Sequence, residues 1–135
     1  MPTRAPPLLG LLCSIACLSV SACISGAVDR QCFRNEYPFP DEPGTADVVD
    51  LSVMLEGARV TGVYRWLPAF KDRRVGTLEG SVRNDTIAAT YTFSQEGSNQ
   101  SAEITIVLEQ LRAVARGGLP ALGLGADIAR VACSN

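Results

Sequence analysis

The chain has 135 residues, of which 12 are basic and 14 acidic, with five cysteines and no histidine. That length allows one domain and little more. A formal charge of −2 and scattered arginines supply no basic surface for nucleic acid. With 47% hydrophobic and 19% charged residues, the chain is too apolar to be disordered. Without histidine, serine triads, cysteine–histidine dyads and histidine metal sites are excluded.

The first 22 residues have the pattern of an export signal. Arg4 gives a weakly positive start, and the apolar run over residues 8–20 is too short to span a bilayer as a helix. The segment ends in Val20, Ser21, Ala22 and Cys23. This ending resembles the bacterial lipoprotein signal, in which an aliphatic residue and two small residues precede an invariant cysteine. An ordinary secretory signal with a cysteine at its edge is the alternative.

The resemblance implies that Cys23 is a lipidation site. In that family the cysteine thiol receives a diacylglycerol, the signal is cut before the cysteine, and the new amino group is acylated by a fatty acid such as palmitate. Several acyl chains on one residue anchor a domain stably to a bilayer, whereas one chain binds marginally. By the family's sorting rule, Ile24 in place of aspartate favours the outer membrane over the inner one. We therefore expect a signal peptide over residues 1–22 and a lipid-anchored protein of the bacterial cell envelope.

Two cysteines remain once the signal and the lipid site are set aside. Cys13 and Cys17 lie within the signal, which leaves Cys32 and Cys133 near the two ends of the mature chain. Export places them in an oxidising compartment, where an isolated pair is typical of a structural disulfide. A redox-active pair is the alternative, although neither cysteine lies in a Cys-x-x-Cys arrangement.

The mature chain divides into a lipidated N-terminus with a short tether, residues 23–30, and a single β domain, residues 31–135. The proline-rich segment 37–44 excludes a helix or a central strand. Beyond it, apolar and polar residues alternate with the period of two that is typical of half-buried strands. The clear runs cover residues 49–55, 60–66, 76–82, 87–93, 104–108 and 111–116.

Short turns between these runs predict an all-β fold, an antiparallel meander. Strands around residues 28–34 and 128–133 bring the total to seven or eight, and a Cys32–Cys133 bridge would hold them together, as the closure of a small up-and-down barrel requires. A β-sandwich is the alternative. Gly62, Gly76 and Gly80 fall on inward faces, where glycine marks a bend or a large ring packed over the gap.

A meander sorts its connections into two ends. The turns at 56–57, 84–85 and 110 share one end, and the proline-rich segment, the loop around Lys71 and the loop at Glu96 share the other. Long loops gathered at one end are a usual place for binding. The candidate binding residues are Trp66, Phe70, Lys71, Asp72, Arg73 and Glu96. The alternatives are that the charges form solvated surface ion pairs and that Trp66 fills the core.

The remaining motifs carry little chemistry. Asp72 and Glu96 could be imagined as the paired carboxylates of a glycosidase, but so small a barrel has little room for a sugar cleft. The acidic pairs lack calcium-loop spacing, and the glycines after residue 116 lack the strand–turn–helix context of a phosphate loop. We therefore expect no enzyme activity, no catalytic residue, no metal ligand and no cofactor.

The stretch 47–97 resembles a group of small uncharacterised bacterial lipoproteins. The shared elements, in chain order, are Val60-Thr61-Gly62, Lys71-Asp72, Gly76-Thr77-Leu78-Glu79-Gly80, Asp85-Thr86, Tyr91-x-Phe93 and Glu96-Gly97. The resemblance implies lipidation and a β domain, with no established activity. Lys71-Asp72 is its one polar element that turn chemistry does not require.

These observations predict a membrane-anchored envelope lipoprotein with a non-enzymatic binding domain. Its partners would be the bilayer, through acylated Cys23, and an envelope protein or a glycan, through the loop end around Lys71. One alternative is a carrier that holds a small apolar ligand inside the barrel, in volume left by the inward glycines. Another is an inhibitor of periplasmic or host hydrolases.

Overall fold

The computed structural model describes residues 26–135, so the predicted signal peptide and the lipidation site Cys23 lie outside the described residues. Eight strands and one short 3₁₀ helix follow one another along the chain. The strands are β1 (Val28–Pro38), β2 (Ala46–Glu56), β3 (Arg59–Leu67), β4 (Arg74–Arg83), β5 (Thr86–Gln95), β6 (Ser98–Leu108), β7 (Arg112–Gly117) and β8 (Ala126–Val131). The 3₁₀ helix, Pro120–Leu122, lies between β7 and β8.

Each strand pairs antiparallel with the next, and β1 also pairs with β8, so the sheet closes into a barrel in sequence order. The predicted all-β meander barrel is confirmed, and the sandwich alternative is wrong. Side chains alternate between a buried inner face and an exposed outer face, as the period of two requires. On β5, for example, Ile87, Ala89, Tyr91 and Phe93 are buried and the residues between them are exposed.

The barrel closes where β1 meets β8, which we call the seam. Few backbone pairs join the two strands there, and a disulfide and the side chain of Asn35 add to them. The two strands pair at Cys32–Val131 and Phe33–Arg130. Cys32 also forms a disulfide with Cys133, whose Cα atom lies 5.2 Å from its own. Farther along, the Asn35 amide donates to the carbonyl of Asp127 (2.7 Å) and accepts from the backbone N–H of Ala129 (3.0 Å). Side chains therefore complete the closure that the backbone ladder begins.

The two ends of the barrel differ in what they carry. We call the end that bears the connections 39–45, 68–73, 96–97 and 118–125 the loop end. The opposite end, which we call the terminus end, bears the turns 57–58, 84–85 and 109–111, the start of β1 and the end of β8. The predicted sorting of short turns and long loops agrees with this arrangement, except at residue 96.

Two boundaries differ from the sequence-based expectation. β1 begins at Val28, as the strand expected around residues 28–34 does, but it extends through Pro38 into the proline-rich segment. Proline is tolerated there because the far part of β1 pairs with β2 and lies beyond the pairs with β8, so no ladder bond needs its missing N–H. The expected loop at Glu96 is a two-residue turn, because Glu96 and Gly97 both adopt positive φ and β6 starts at once with Ser98.

Tyr91 reaches across β4 at Gly76. Its hydroxyl donates to the main-chain oxygen of Tyr64 on β3 (2.8 Å), although Tyr91 itself lies on β5. A Cβ atom at Gly76 would lie 2.7 Å from Tyr91 Cε2 and 2.6 Å from Phe93 Cβ. The ring therefore occupies the space that any other residue at this position would need. The predicted packing of a large ring over an inward glycine is confirmed at Gly76.

Candidate functional site

Two loops of the loop end are fixed to each other. The rings of Phe39 and Phe70 meet edge to face, with centroids 5.3 Å apart. Asp47 accepts a hydrogen bond from the backbone N–H of Ala69 at 2.8 Å. Phe70 nevertheless has 65% of its surface exposed. An aromatic side chain that is both exposed and held in place is a suitable contact for a partner, since little rotamer freedom is lost on binding.

A charged groove lies beside this pair of rings. Lys71, Asp72 and Arg73 form one wall, and Glu96 with its turn forms the other. Within residues 26–135, none of these four side chains takes part in an ion pair. The alternative that they form surface ion pairs with one another is therefore not the arrangement observed. Four exposed charges of both signs face solvent around one groove, which we call the Lys71 groove.

Trp66 lies apart from the Lys71 groove. It is half-buried on β3 and belongs to the inward-facing row that also contains Tyr64. The structure thus brings four of the six candidate binding residues together, holds Phe70 next to them, and leaves Trp66 at the mouth of the barrel. At the mouth, Trp66 lies against a residue that the sequence did not single out.

That residue is Arg74, the first residue of β4. It is 4% exposed, and its guanidinium stacks over the rings of Trp66 and Phe93 at 5.6 and 5.9 Å. It donates to the carbonyl oxygens of Leu122 (2.8 Å) and Gly123 (3.3 Å), while its Nε is buried without a hydrogen-bond partner in the described part of the chain. Arg74 was not predicted because it ends a run of charged residues that is typical of an exposed loop. The available signal was its position two residues before the inward-facing Gly76, since alternate residues of a strand face the same side.

Two buried tyrosines continue inward from Arg74. The Tyr64 hydroxyl donates to the carbonyl of Leu124 at 2.9 Å, and the Tyr91 hydroxyl donates to the Tyr64 carbonyl. Burial raises the pKa of Tyr91 to about 12 and raises the pKa of Tyr64 as well. The positive charge of Arg74 opposes both pKa shifts, because it favours the tyrosinate form.

Arg74 and Trp66 line a cleft of about 420 Å³ at the mouth of the barrel, which we call the mouth cleft. The 3₁₀ segment forms one wall, with Leu122 and Gly123, and Tyr37, Val49 and Gln95 complete the lining on the strands. The cleft therefore mixes polar and apolar surface, with an aromatic face and one buried cation. Its volume lies in the range that is typical of small-molecule sites.

A nearly buried carboxylate with two arginine partners lies on the outer wall, away from both the groove and the cleft. Asp50, 8% exposed, is flanked by Arg34 and Arg65 of the neighbouring strands. Arg65 binds both carboxylate oxygens, at 2.8 and 2.7 Å, and this hydrogen bonding raises the pKa of Arg65. These cross-strand contacts stabilise the sheet and leave no free group for chemistry.

The described part of the chain contains no group of three or more cysteine, aspartate and glutamate side chains that could hold a metal ion. Nor does it contain a helix long and apolar enough to cross a membrane. In comparisons with known proteins, no family model, no curated protein and no solved structure matches this chain.

Proposed function

We propose that this chain is a membrane-anchored lipoprotein of the bacterial envelope whose barrel binds a protein partner, without catalysis, through its loop end. The observation that carries the proposal is the opposition of the two ends. The chain enters the barrel at the terminus end, and the Lys71 groove lies at the other. An anchor on the N-terminal side would thus hold the terminus end towards the membrane.

The reach of the tether supports this orientation. Val28, where β1 begins, is five residues along the chain from Cys23, with four residues between them. Fully extended, this stretch spans about 17 Å, less than the diameter of a small domain. A lipid on Cys23 would therefore keep the terminus end close to the bilayer and turn the loop end outward.

The chemistry of the loop end favours a protein over a glycan. Phe70 is 65% exposed and directly precedes Lys71 of the groove, whose four charges have no ion-pair partner within residues 26–135. Aromatic anchors surrounded by charged and polar groups are typical of protein interfaces. The inhibitor hypothesis is the special case in which the partner is a hydrolase, because it uses the same end.

The carrier hypothesis gains no support from the inward glycines. A Cβ at Gly80 would lie 2.6 Å from Ala89 Cα, and at Gly76 the space is taken by Tyr91. These glycines let neighbouring strands and rings approach closely and leave no volume for an apolar ligand beside them.

Partner binding is tested by crosslinking in cells that produce the protein, followed by quantitative mass spectrometry of what is captured. The test variant is Lys71→Ala/Asp72→Ala/Glu96→Ala. The matched control, Glu56→Ala/Arg59→Ala/Arg83→Ala, removes three exposed charged side chains at the terminus end. We expect the groove variant to lose the partner and the control to keep it. Equal capture by both variants would contradict the proposed site.

Anchoring is tested separately with Cys23→Ala. We expect the wild-type chain to incorporate labelled palmitate and to sediment with membranes. The variant should incorporate none and should leave the membrane fraction. A variant that still sediments with membranes after a high-salt wash would show that lipid on Cys23 is not the anchor.

A further inference from the structure

The charge of Arg74 is not neutralised within the described structure. The ion pairs of residues 26–135 involve other arginines, and the acceptors of Arg74 are two neutral carbonyls. A guanidinium has five N–H donors, and the Nε donor of Arg74 is buried without a partner among residues 26–135. Burying a charge without an opposite charge is costly, and proteins rarely do it without a compensating role.

Holding the 3₁₀ segment in place does not explain this arrangement by itself. Arg130 has a comparable task at the terminus end, where it bonds to the carbonyls of Glu109 and Gln110 and stacks on the ring of Phe33. Arg130 does so while exposed to water. A link between a strand and a loop therefore needs no buried cation, whereas a ligand site does profit from one.

The mouth cleft provides the space in which the charge of Arg74 would act. Its volume of about 420 Å³ lies within the range of small-molecule sites. Trp66 presents a flat aromatic face, Leu122 presents an aliphatic one, and both lie on the same cleft as Arg74. The cleft therefore combines one positive charge with apolar walls.

We propose that the mouth cleft binds a small organic anion, namely a carboxylate on a flat apolar body. The carboxylate lies against Arg74, and the apolar body lies between Trp66 and Leu122. A planar guanidinium matches the geometry of a carboxylate, and a single arginine matches its single charge. This site is distinct from the Lys71 groove and does not depend on the proposed protein partner.

Trp66 makes the proposal directly measurable, because it is the only tryptophan of the whole chain. The full-length protein, with its disulfide intact, is titrated with benzoate and with benzamide, its uncharged analogue of the same size. Tryptophan emission, excited where neither compound absorbs, is recorded. We expect saturable binding of benzoate below about 1 mM, and binding of benzamide at least about tenfold weaker. Equal affinities, or no saturation by benzoate, would overturn the proposal.

Two arginine variants locate the charge. Arg74→Met keeps the apolar stem and removes the cation, and it should weaken benzoate binding at least about tenfold. Arg130→Met makes the same change at the terminus end and should leave benzoate binding unchanged. Circular dichroism verifies that both variants are folded. Undiminished benzoate binding by folded Arg74→Met would overturn the assignment.

A measurement on the unaltered protein keeps the proposal falsifiable if Arg74→Met fails to fold. The arginine Nε–H resonances are followed by nitrogen–proton NMR during the benzoate titration, and Arg74 is assigned from its contacts with the Trp66 ring. We expect this one resonance to shift with the same saturation curve as the Trp66 emission. A stationary Arg74 signal at saturating benzoate would overturn the proposal.

Discussion

The two ends of this barrel each place an inward arginine on an aromatic ring, yet they treat its charge differently. At the terminus end, exposed Arg130 donates to two backbone carbonyls and to Gln31, with all three of its nitrogens engaged. At the loop end, buried Arg74 donates to two carbonyls and keeps a partnerless Nε. The nitrogens of Arg130 are therefore all satisfied by described residues of the chain, whereas those of Arg74 are not.

The contrast extends to the surface. The connections of the terminus end are short, and the disulfide fastens its two terminal strands. The loop end carries the exposed ring of Phe70 and, around the Lys71 groove, charges that form no ion pair with any described residue. Stability is concentrated where the chain begins and ends, and the groups available for recognition are concentrated opposite. Binding sites commonly sit on loops that a rigid scaffold positions.

The largest expected effect comes from breaking the terminus end. Cys32→Ala/Cys133→Ala removes a crosslink between residues separated by 101 positions. In the chain-entropy model such a loop contributes about 4 to 5 kcal/mol to the free energy of unfolding. Denaturant unfolding of the variant, compared with the oxidised wild type, measures the loss. A loss below about 1 kcal/mol would show that the seam is held by its other contacts.

A smaller but still large effect is expected from Gly76→Ala, on the half of β4 nearer the loop end. The added methyl group meets Phe93 Cβ and the ring of Tyr91, and the backbone there has little room to move. Overpacking of this kind costs about 1 to 3 kcal/mol, and here the Tyr91–Tyr64 hydrogen bond is also threatened. Gly57→Ala is the control for a surface turn, where no heavy atom lies within 4 Å of the added Cβ. Gly57 has positive φ, so that control measures backbone strain alone.

Alkaline pH probes the interior between the two ends. The pKa of Tyr91 is about 12 in the folded protein and about 10 when unfolded. As the pH rises, the Tyr91 hydroxyl therefore loses its proton in the unfolded chain before it does so in the folded protein. The stabilisation is complete below pH 10 and is lost as the pH rises towards 12, with about 1.4 kcal/mol gone at pH 11. Unfolding titrations across this range should show the decline, and Tyr91→Phe should reduce it to the part that buried Tyr64 contributes.

The smallest changes in stability are expected when Arg130 and Arg74 are replaced. Arg130→Met should lower the free energy of unfolding by about 0.5 to 1 kcal/mol, the value of an exposed cation–π contact. Arg74→Met should leave stability unchanged or raise it slightly, because a buried cation without an anion is replaced by an apolar chain. Thermal unfolding of both variants at neutral pH decides the matter. If Arg74→Met were the more damaging change, Arg74 would act chiefly as a structural link.

The fold was largely predictable because strand period and turn chemistry are local signals. Alternation in 87–93 identifies β5, and Asn84 with Asp85 marks a turn whose two residues both adopt positive φ. The polar start of β6 was not predictable in this way. Residues 98–101 are exposed throughout and pair only with β5, so they carry no alternation.

The candidate site was predictable only in part. Loop position brought Lys71 and Glu96 to one end, because a meander alternates its connections. Arg74 was not predicted because four consecutive charged residues together indicate one solvated segment. Arg74 is, however, the first residue of β4, and its side chain already follows the inward–outward alternation of that strand. The wall of the cleft formed by the 3₁₀ segment depends on long-range packing, which no local pattern encodes.

The seam between β1 and β8 also dictates the order in which this fold can be completed. Synthesis proceeds from the N-terminus, so β1 exists about 100 residues before the strand that closes the barrel against it. Until β8 arrives, the growing sheet has two open edges, and such edges invite pairing with other chains. The Cys32–Cys133 bond can form only after Cys133 has been made. Its formation therefore records that the two seam strands have come together, and a chain truncated before Cys133 would be recognisable by the free thiol of Cys32.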